Sequence, residues 1–365
     1  MDHLDRVRRL QERLSRHRLD SLLVTHPPNI RYLCGFTGST GALVVGRGGA
    51  ALFTDGRYTF QARDEVRAAR VVIGRKAPLL IAARWLDQHG GHRRVKPPQA
   101  LGIEGEVLSV AARQRLVDAL AAGSRVRTAP PLVEQARMLK DREEIQRLRE
   151  AVMLGANLFP VALQAIRPGV TEIEVAAALE YAARKAGASG MAFPTIIASG
   201  ARSALAHARA SEQPIPAEGF VVCDFGVILA GYCSDMTRTV YVGAVTADAR
   251  FTYEAVSEAQ QAAIAAVRPG VSVGEVDRAA RKSLKKRKLA KFFTHSTGHG
   301  VGLEIHEAPR VATGQHEVLR PGMVITIEPG LYIPGKWGVR IEDMVLVTEH
   351  GCEVLTPTSK QFTAI

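Results

Sequence analysis

An internal repeat constrains the fold of this chain more than any other feature of its sequence. The tetrapeptide RPGV at residues 167–170 recurs 101 residues later, at residues 268–271. Each copy is followed by the pattern of a capping box, in which Ser or Thr precedes Glu by three residues and opens an apolar helix. Two related halves are too few for a solenoid. The repeat therefore predicts an α+β domain with pseudo-two-fold symmetry.

The residues before the repeat follow a different pattern, in which short apolar runs alternate with helical patterns. This alternation predicts an α/β domain with a mixed sheet. The predicted strands are residues 21–25, 42–45, 50–54, 70–73, 100–104 and 124–128, and the predicted helices are residues 57–68, 78–89 and 110–122. Pro130 and Pro131 interrupt the alternation. We therefore predict a first domain over residues 1–131 and a second over residues 132–365.

The formal net charge of +12 raises the question of an anionic partner. Part of this charge lies in one basic run, defined here as Arg281, Lys282, Lys285, Lys286, Arg287, Lys288 and Lys291. The run would suit an acidic partner, but it is also typical of the solvated face of a helix. No nucleic-acid module and no interleaved aromatic residues accompany it, so we predict no nucleic-acid partner.

The sequence also predicts a cytoplasmic protein that does not associate with membranes. No run approaches the ~18 apolar residues that a membrane-spanning helix needs. The first apolar residues recur at helical spacing among arginines, which indicates an amphipathic surface helix and not a signal peptide. The four cysteines are scattered and show no metal or redox spacing, so we expect them to be reduced.

Two pairs of carboxylates are predicted to face each other across β-hairpins, one pair in each half of the repeat. A hairpin centred between residues 229 and 230 would place Asp224 opposite Asp235. A hairpin that turns at Gly335 would place Glu328 opposite Glu342. Opposed residues share one face, with β-carbons about 5 Å apart. Carboxylates this close on a half-buried sheet repel each other unless a cation lies between them.

Three histidines lie between these hairpins, in a glycine-rich segment. His295, His299 and His306 are separated by four and seven residues, among glycines that permit close backbone approach. One such histidine is usually structural, but three beside four carboxylates indicate a site. Four carboxylates carry four negative charges, which two divalent cations would neutralise. An oxygen-rich set suits manganese or cobalt at least as well as zinc, and the implied chemistry is metal-assisted hydrolysis of an amide.

Together these segments resemble the pita-bread metallopeptidases, which include methionine aminopeptidases, aminopeptidase P and prolidase. The matching motifs are CDFG at 223–226, GYCSDMTRT at 231–239, HSTGHGVGLEIHE at 295–307, IEPG at 327–330 and GVRIED at 338–343. The resemblance covers essentially the whole chain. It implies a creatinase-like α/β N-terminal domain followed by an α+β, pseudo-two-fold pita-bread catalytic domain. The metal ligands that it implies are Asp224, Asp235, His299, Glu328 and Glu342.

The resemblance implies roles for further residues. Glu328 would also carry the proton from the attacking water to the leaving nitrogen. His207 would bind and stabilise the reacting peptide, and His306 would polarise the substrate carbonyl. His295 would line the proline side of the cleft. Arg340 would either lie near the C-terminal side of the substrate or orient a metal ligand, and both roles remain open.

The first domain and Arg340 both disfavour a methionine aminopeptidase, which lacks them. We therefore predict an Xaa-Pro aminopeptidase, with an Xaa-Pro dipeptidase (prolidase) as the close alternative. A non-catalytic binding protein on the same fold, holding an acidic partner through the basic run, is the more distant one. The resemblance implies two divalent ions, with manganese ahead of cobalt or zinc. It also implies short proline-containing peptides as substrates, and a homodimer.

Overall fold

Two units divide the chain in the computed structural model, which describes residues 1–89 and 100–365. The units are Met1–Arg137 and Met138–Ile365, so the boundary predicted after residue 131 falls one short helix earlier. Helix Leu132–Arg137 belongs to the first unit, where Leu132 is buried and Arg137 donates a hydrogen bond to Asn29 Oδ1 at 2.7 Å. The two prolines precede this helix directly, a position where a missing N–H costs little.

The first unit contains the predicted mixed sheet. Its strands are β1 (Ser21–Val24), β2 (Ala42–Gly46), β3 (Gly49–Asp55), β4 (Arg70–Gly74), β5 (Leu101–Glu104) and β6 (Val126–Ala129). Its helices are α1 (His3–Arg16), α2 (Pro27–Cys34), α3 (Thr59–Glu65), α4 (Pro78–His89), α5 (Val110–Ala119) and α6 (Leu132–Arg137). The strand order is β4-β3-β2-β1-β5-β6, with β2 antiparallel to both neighbours and the other pairs parallel. All six predicted strands are confirmed.

The second unit combines long helices with short antiparallel sheets. Its helices are α7 (Arg142–Ala165), α8 (Glu172–Lys185), α9 (Ala247–Ala266) and α10 (Val273–Lys286). Its strands are β7 (Gly190–Met191), β8 (Ile196–Ser199), β9 (Gly219–Phe225), β10 (Val227–Leu229), β11 (Tyr232–Cys233), β12 (Met236–Val242), β13 (Gly298–Gly300), β14 (Glu307–Val311), β15 (Val324–Ile327), β16 (Gly330–Ile333), β17 (Trp337–Arg340), β18 (Asp343–Val347) and β19 (Cys352–Val354).

The sequence repeat is visible in how α8 and α10 begin. The side chains of Thr171 and Ser272 each accept a hydrogen bond from the backbone amide at position N3 of the helix. In return, the side chains of Glu174 and Glu275 accept hydrogen bonds from the backbone amides of the N-cap residues. Both predicted capping boxes are therefore confirmed, and each one satisfies two amides that a helix end would otherwise leave unpaired.

The two turns before these helices also match. Gly169 and Gly270 have φ of +86° and +84°, in the left-handed region that favours glycine. Their amides donate to Ile215 O and Leu319 O, each at 2.9 Å. The predicted pseudo-two-fold relation therefore extends from sequence to turn conformation and hydrogen bonding.

The apolar core of the second unit surrounds the strands that carry the candidate site. Strands β9, β12, β15 and β18 are buried along their whole length. Charged side chains on such strands need partners, because burial in a low dielectric disfavours an isolated charge. In the part of the chain that the structure describes, no helix is both long and apolar enough to cross a membrane.

The cysteines and the basic run agree with the predictions of reduced thiols and of a solvated helix face. All four cysteines are free. Arg281 donates to Asp277 at 2.9 Å and Arg287 donates to Glu258 at 2.8 Å, while the five lysines of the run are exposed. This arrangement is that of a solvated helix face whose arginines are partly used for internal contacts.

Candidate metal centre

The first carboxylate hairpin has a register that differs from the prediction. Asp224 on β9 pairs with Thr237 on β12, so the predicted pairing of Asp224 with Asp235 is wrong by two residues. The turn lies at Ala230 and Gly231, whose φ values of +47° and +83° suit a two-residue hairpin turn. Side chains alternate with a period of two, so a shift of two residues keeps Asp235 on the predicted face.

The second hairpin has the predicted register. Gly330 pairs with Arg340 and Ile327 pairs with Asp343, so Glu328 and Glu342 stand at matching positions between the two ladders. The carboxylates of this hairpin therefore face each other as the sequence pattern indicated.

His299 on β13 brings the two hairpins together. Its Nδ1 lies 3.0 Å from its neighbour's carbonyl, Gly300 O, and a proton on Nδ1 donated to that carbonyl would leave Nε2 available to a metal ion. His299 Nε2 lies 3.3 Å from Glu328 Oε1 and 3.6 Å from Asp235 Oδ2. One ligand atom each of Asp235, His299 and Glu342 lies within 4.8 Å of the others. A single ion could contact all three residues.

Asp224 completes the cluster. It is 8% exposed, its charge raises the pKa of Asp235 and of Glu342, and its strand partner Thr237 donates to Glu342 Oε2 at 2.6 Å. The structure therefore brings together all five side chains that the sequence predicted as ligands.

The electrostatics of the cluster are those of four carboxylates whose charge the neighbouring Arg340 and His299 only partly compensate. Burial raises the pKa of Asp235 and of Glu342 well above the usual range, and the neighbouring carboxylates raise both further. Burial also raises the pKa of Asp224, against the opposing charge of Arg340. Burial would raise the pKa of Glu328 too, but the hydrogen bond and charge of His299 hold it below its usual range.

Two buried oxygens test whether a metal fits here. Within the described residues, Asp224 Oδ1 and Asp235 Oδ1 are buried and have no hydrogen-bond partner. Buried carboxylate oxygens are ordinarily paired, so these two point to ligands outside the protein. Four carboxylates and one imidazole are a donor set that divalent first-row metals accept. The residues therefore fit divalent metal binding.

Arg340 is bound on several sides by the protein. It is 3% exposed, and its Nη2 donates to Asp224 Oδ2 at 2.5 Å. Its Nη1 donates to Tyr332 Oη at 2.5 Å and to Ala206 O at 3.1 Å, and its Nε donates to Thr237 Oγ1 at 3.2 Å. Four of its five N–H groups are thus used inside the protein. This geometry favours orientation of the Asp224 carboxylate over contact with a substrate.

Tyr332 links Arg340 to His295 and was not identified from the sequence. Burial raises the pKa of Tyr332 to about 12, so its hydroxyl stays protonated and donates to His295 Nε2, which lies 2.9 Å away. His295 Nδ1 lies 2.8 Å from its neighbour's carbonyl, Ser296 O. With both nitrogens used in the protein and its pKa lowered by burial, His295 is a neutral ring that can line a cleft by shape.

His207 and His306 are exposed at the edge of the cluster. The ring of His306 lies edge-to-face against that of His299, with centroids 4.4 Å apart. Burial and the charge of His299 both lower the pKa of His306, and the charge of His207 lowers it further. His207 also lowers the pKa of His295. His207 follows Ala206, whose carbonyl accepts a hydrogen bond from Arg340 Nη1 at 3.1 Å, so its segment lies beside the cluster.

Close backbone packing holds the segment before His207 against the second hairpin. The amide of Gly338 donates to Ser203 Oγ at 2.7 Å, and a β-carbon at Gly338 would lie 2.0 Å from Ser203 O. No side chain fits at this position. Glycine there lets the 3-10 helix Gly200–Ala204 approach strand β17.

Three supporting residues were missed by the sequence analysis. Thr237 Oγ1 donates to Glu342 Oε2 at 2.6 Å, and Thr326 Oγ1 lies 3.1 Å from Glu328 Oε1. Tyr332 is the third. The period of two along a hairpin places Tyr332 on the face of Glu328, so alternation could have indicated it. The same alternation places Thr326, two residues before Glu328, on the face of that carboxylate, whereas the partner of Thr237 is contributed by a distant segment.

Arg340→Lys tests the role of this arginine. Lysine keeps the charge but cannot reproduce the hydrogen bonds to Asp224, Tyr332 and Thr237 together. We expect manganese affinity, measured by calorimetry on the metal-free protein, to fall about 10- to 100-fold, as is typical when a partner of a metal ligand is removed. Unchanged manganese affinity would contradict a role in orienting Asp224 and would favour contact of Arg340 with the substrate.

Metal binding should release protons. The raised pKa values of Asp235 and Glu342 mean that the metal-free protein holds protons there above the pH at which such groups normally ionise. Since the ligands must be deprotonated, metal affinity should fall as pH falls, and the binding enthalpy should vary with the ionisation enthalpy of the buffer. An enthalpy that is the same in every buffer would show that no protons are displaced.

Comparisons with known proteins agree with this geometry. Residues 146–349 match the model of metallopeptidase family M24, and residues 6–139 match that of the creatinase/prolidase N-terminal domain. The chain is similar to the Xaa-Pro dipeptidase of Pyrococcus furiosus, with 36% identity over 98% of this chain and 99% of that protein.

Two solved structures are also similar. A Xaa-Pro dipeptidase from Bacillus anthracis has a TM-score of 0.95 and 37% identity, covering 100% of both chains. An X-Pro aminopeptidase from Thermotoga maritima has a TM-score of 0.88 and 34% identity, covering 99% of this chain and 100% of that one. The predicted fold, a creatinase-like domain followed by a pita-bread domain, is thereby confirmed. The chain belongs to metallopeptidase family M24 and carries a creatinase/prolidase N-terminal domain.

Proposed function

We propose that this protein is a two-metal peptidase that hydrolyses the bond between an N-terminal residue and a following proline, with dipeptides as its preferred substrates. The observation that carries the proposal is the cluster of three buried carboxylates, the partly buried Glu328 and His299, with two carboxylate oxygens that lack hydrogen-bond partners among the described residues. Similar proteins named as Xaa-Pro dipeptidases support the substrate class.

The ions would be held by Asp224, Asp235, His299, Glu328 and Glu342. Bound there, they would polarise the substrate carbonyl and supply a nucleophile at neutral pH. Manganese is the metal that we propose, with cobalt or zinc as alternatives, because an oxygen-rich donor set suits the first two. Glu328 would take a proton from the attacking water and deliver it to the leaving proline nitrogen. Because its pKa is lowered, Glu328 is ionised at neutral pH, the state in which a carboxylate can accept a proton.

The histidines around the cluster suit a peptide that ends in proline. His207 and His306 are exposed, so their rings can meet a bound substrate. We assign His306 to the carbonyl on which negative charge develops, and His207 to holding the reacting peptide. His295 offers a neutral ring, which suits contact with the pyrrolidine. A Xaa-Pro bond lacks an amide N–H, so shape must replace the hydrogen bond that other peptides provide.

The aminopeptidase is the second candidate. The sequence alone favoured it, and the similarity to the X-Pro aminopeptidase of Thermotoga maritima supports it. The dipeptidase now takes precedence because the similar proteins with the higher identities bear that name. A non-catalytic binding protein fits less well, since four close carboxylates kept without metal would cost several kcal/mol in repulsion and desolvation. A homodimer and a cytoplasmic location complete the proposal.

Hydrolysis of three peptides tests the proposal. We expect manganese-dependent cleavage of Ala-Pro, much slower cleavage of Ala-Pro-Ala-Ala and none of Ala-Ala, with all activity lost in excess chelator and restored by manganese. A preference for the tetrapeptide would make the protein an aminopeptidase. Equal cleavage of Ala-Ala, or full activity in chelator, would contradict the proposal.

Glu328→Gln provides the matched control for this assay. The substitution keeps the size of the side chain but removes a ligand charge and the proton carrier. We expect turnover of Ala-Pro to fall at least about 100-fold, the lower range for loss of general acid–base catalysis. A near-normal rate would show that another group carries the proton.

A further inference from the structure

Two buried carboxylates outside the metal centre accept hydrogen bonds from the residues at both ends of the loops that carry the candidate histidines. Glu172 is the first residue of α8, and Asp277 lies in the second turn of α10. They are 0% and 1% exposed. Neither has a part in the proposed reaction. We name Glu172 and Asp277 the clamp carboxylates.

Asp277 joins two segments that are distant in sequence. Its Oδ1 accepts a hydrogen bond from Thr297 Oγ1 at 2.8 Å, and its Oδ2 accepts one from Thr313 Oγ1 at 2.7 Å. Thr297 directly precedes β13, and Thr313 follows the end of β14 by two residues. The carboxylate therefore closes the base of the segment that carries His299 and His306.

The contacts of Asp277 continue to other residues of the metal centre. Thr297 O accepts a hydrogen bond from the amide of Glu328 at 2.8 Å. Arg281, which donates to Asp277 at 2.9 Å, also donates to His295 O at 2.6 Å. One carboxylate on a helix is thus connected, through hydrogen bonds to threonine and arginine, to the backbone of two site residues.

Glu172 has the same arrangement in the first half of the unit. Its Oε1 accepts from Ser199 N and Oγ at 2.8 and 3.0 Å, and its Oε2 accepts from Ser211 N and Oγ at 3.2 and 2.7 Å. Arg202 Nε donates to the same carboxylate at 3.0 Å. Ser199 and Ser211 are the two ends of the loop that carries His207, so Glu172 closes that loop.

Burial makes these contacts directional and stiff. In a low dielectric each hydrogen bond to a carboxylate is stronger than in water, and a carboxylate with several donors has few alternative orientations. Each clamp carboxylate is also anchored to a helix, which is a rigid element. A role limited to stability would affect unfolding alone, whereas a positioning role would change metal or substrate binding in a folded protein.

We propose that the clamp carboxylates are positioning residues. Asp277 sets the positions of His299 and Glu328 for metal binding, and Glu172 sets the position of His207 for the substrate. The Glu172 half rests on the proposed function. The Asp277 half is measured by metal affinity and needs no substrate.

The Asp277 half is tested with Thr297→Val and the matched control Thr297→Ser. Valine keeps the shape of the side chain and removes its hydroxyl, whereas serine keeps the hydroxyl. We expect manganese affinity to fall about tenfold in Thr297→Val and to stay near the wild-type value in Thr297→Ser. Thr297 is buried, so Thr313→Val and Thr313→Ser, at an exposed position, repeat the test if Thr297→Val does not fold.

The Glu172 half is tested with Ser211→Ala and Ser211→Thr. Loss of the hydroxyl should raise the KM for Ala-Pro severalfold through displacement of His207, with manganese affinity unchanged. Threonine retains the hydroxyl and should behave as wild type.

The pattern across variants decides the outcome. Lower melting temperatures with wild-type manganese affinity and KM would overturn the proposal and leave both carboxylates as purely structural. A wild type that binds manganese but cleaves no Xaa-Pro dipeptide would overturn the proposed function and the Glu172 half with it. A loss of manganese affinity confined to Thr297→Val would still support the Asp277 half. A wild type that binds no manganese would overturn both halves.

Discussion

Repulsion between buried carboxylates is the constraint on which the second unit depends. Two unit charges about 4 Å apart interact by about 4 kcal/mol at the effective dielectric of ~20 that suits protein sites. The net stability of a domain is only about 5–15 kcal/mol. Asp224, Asp235, Glu328 and Glu342 therefore cannot all be ionised together without cations. The raised pKa values of three of them and the unpaired oxygens of two both indicate a shortage of positive charge in the cluster.

The surroundings of the cluster follow from this constraint. Arg340 compensates Asp224 directly, Thr237 donates to Glu342, and the imidazole of His299 lies against Glu328. These donors fix the orientation of the carboxylates while leaving ligand oxygens available. A site built in this way is preorganised, because few side chains need to move when ions bind. The clamp carboxylates extend the same principle to the loops that surround the site.

Much of this arrangement could be predicted from the sequence, and the failures have physical causes. The capping boxes and the second hairpin register depend on local rules, which the residues obey. The first hairpin register failed because Ala230 adopts a positive φ, a conformation that alanine rarely takes. The contacts of Glu172 and Asp277 with serine and threonine could not be foreseen, since these partners lie tens of residues away and a single hydroxyl residue forms no recognisable sequence motif. Composition indicated charge but could not say which arginines are used internally, as Arg281 is.

Anomalous diffraction at the manganese edge, from crystals grown with manganese, tests the central claim most directly. The account predicts two anomalous peaks, enclosed by Asp224, Asp235, His299, Glu328 and Glu342, with Asp224 Oδ1 and Asp235 Oδ1 among the contacting atoms. A single peak would contradict the charge argument for two ions. Saturating manganese with no peak between these residues would contradict the metal centre itself.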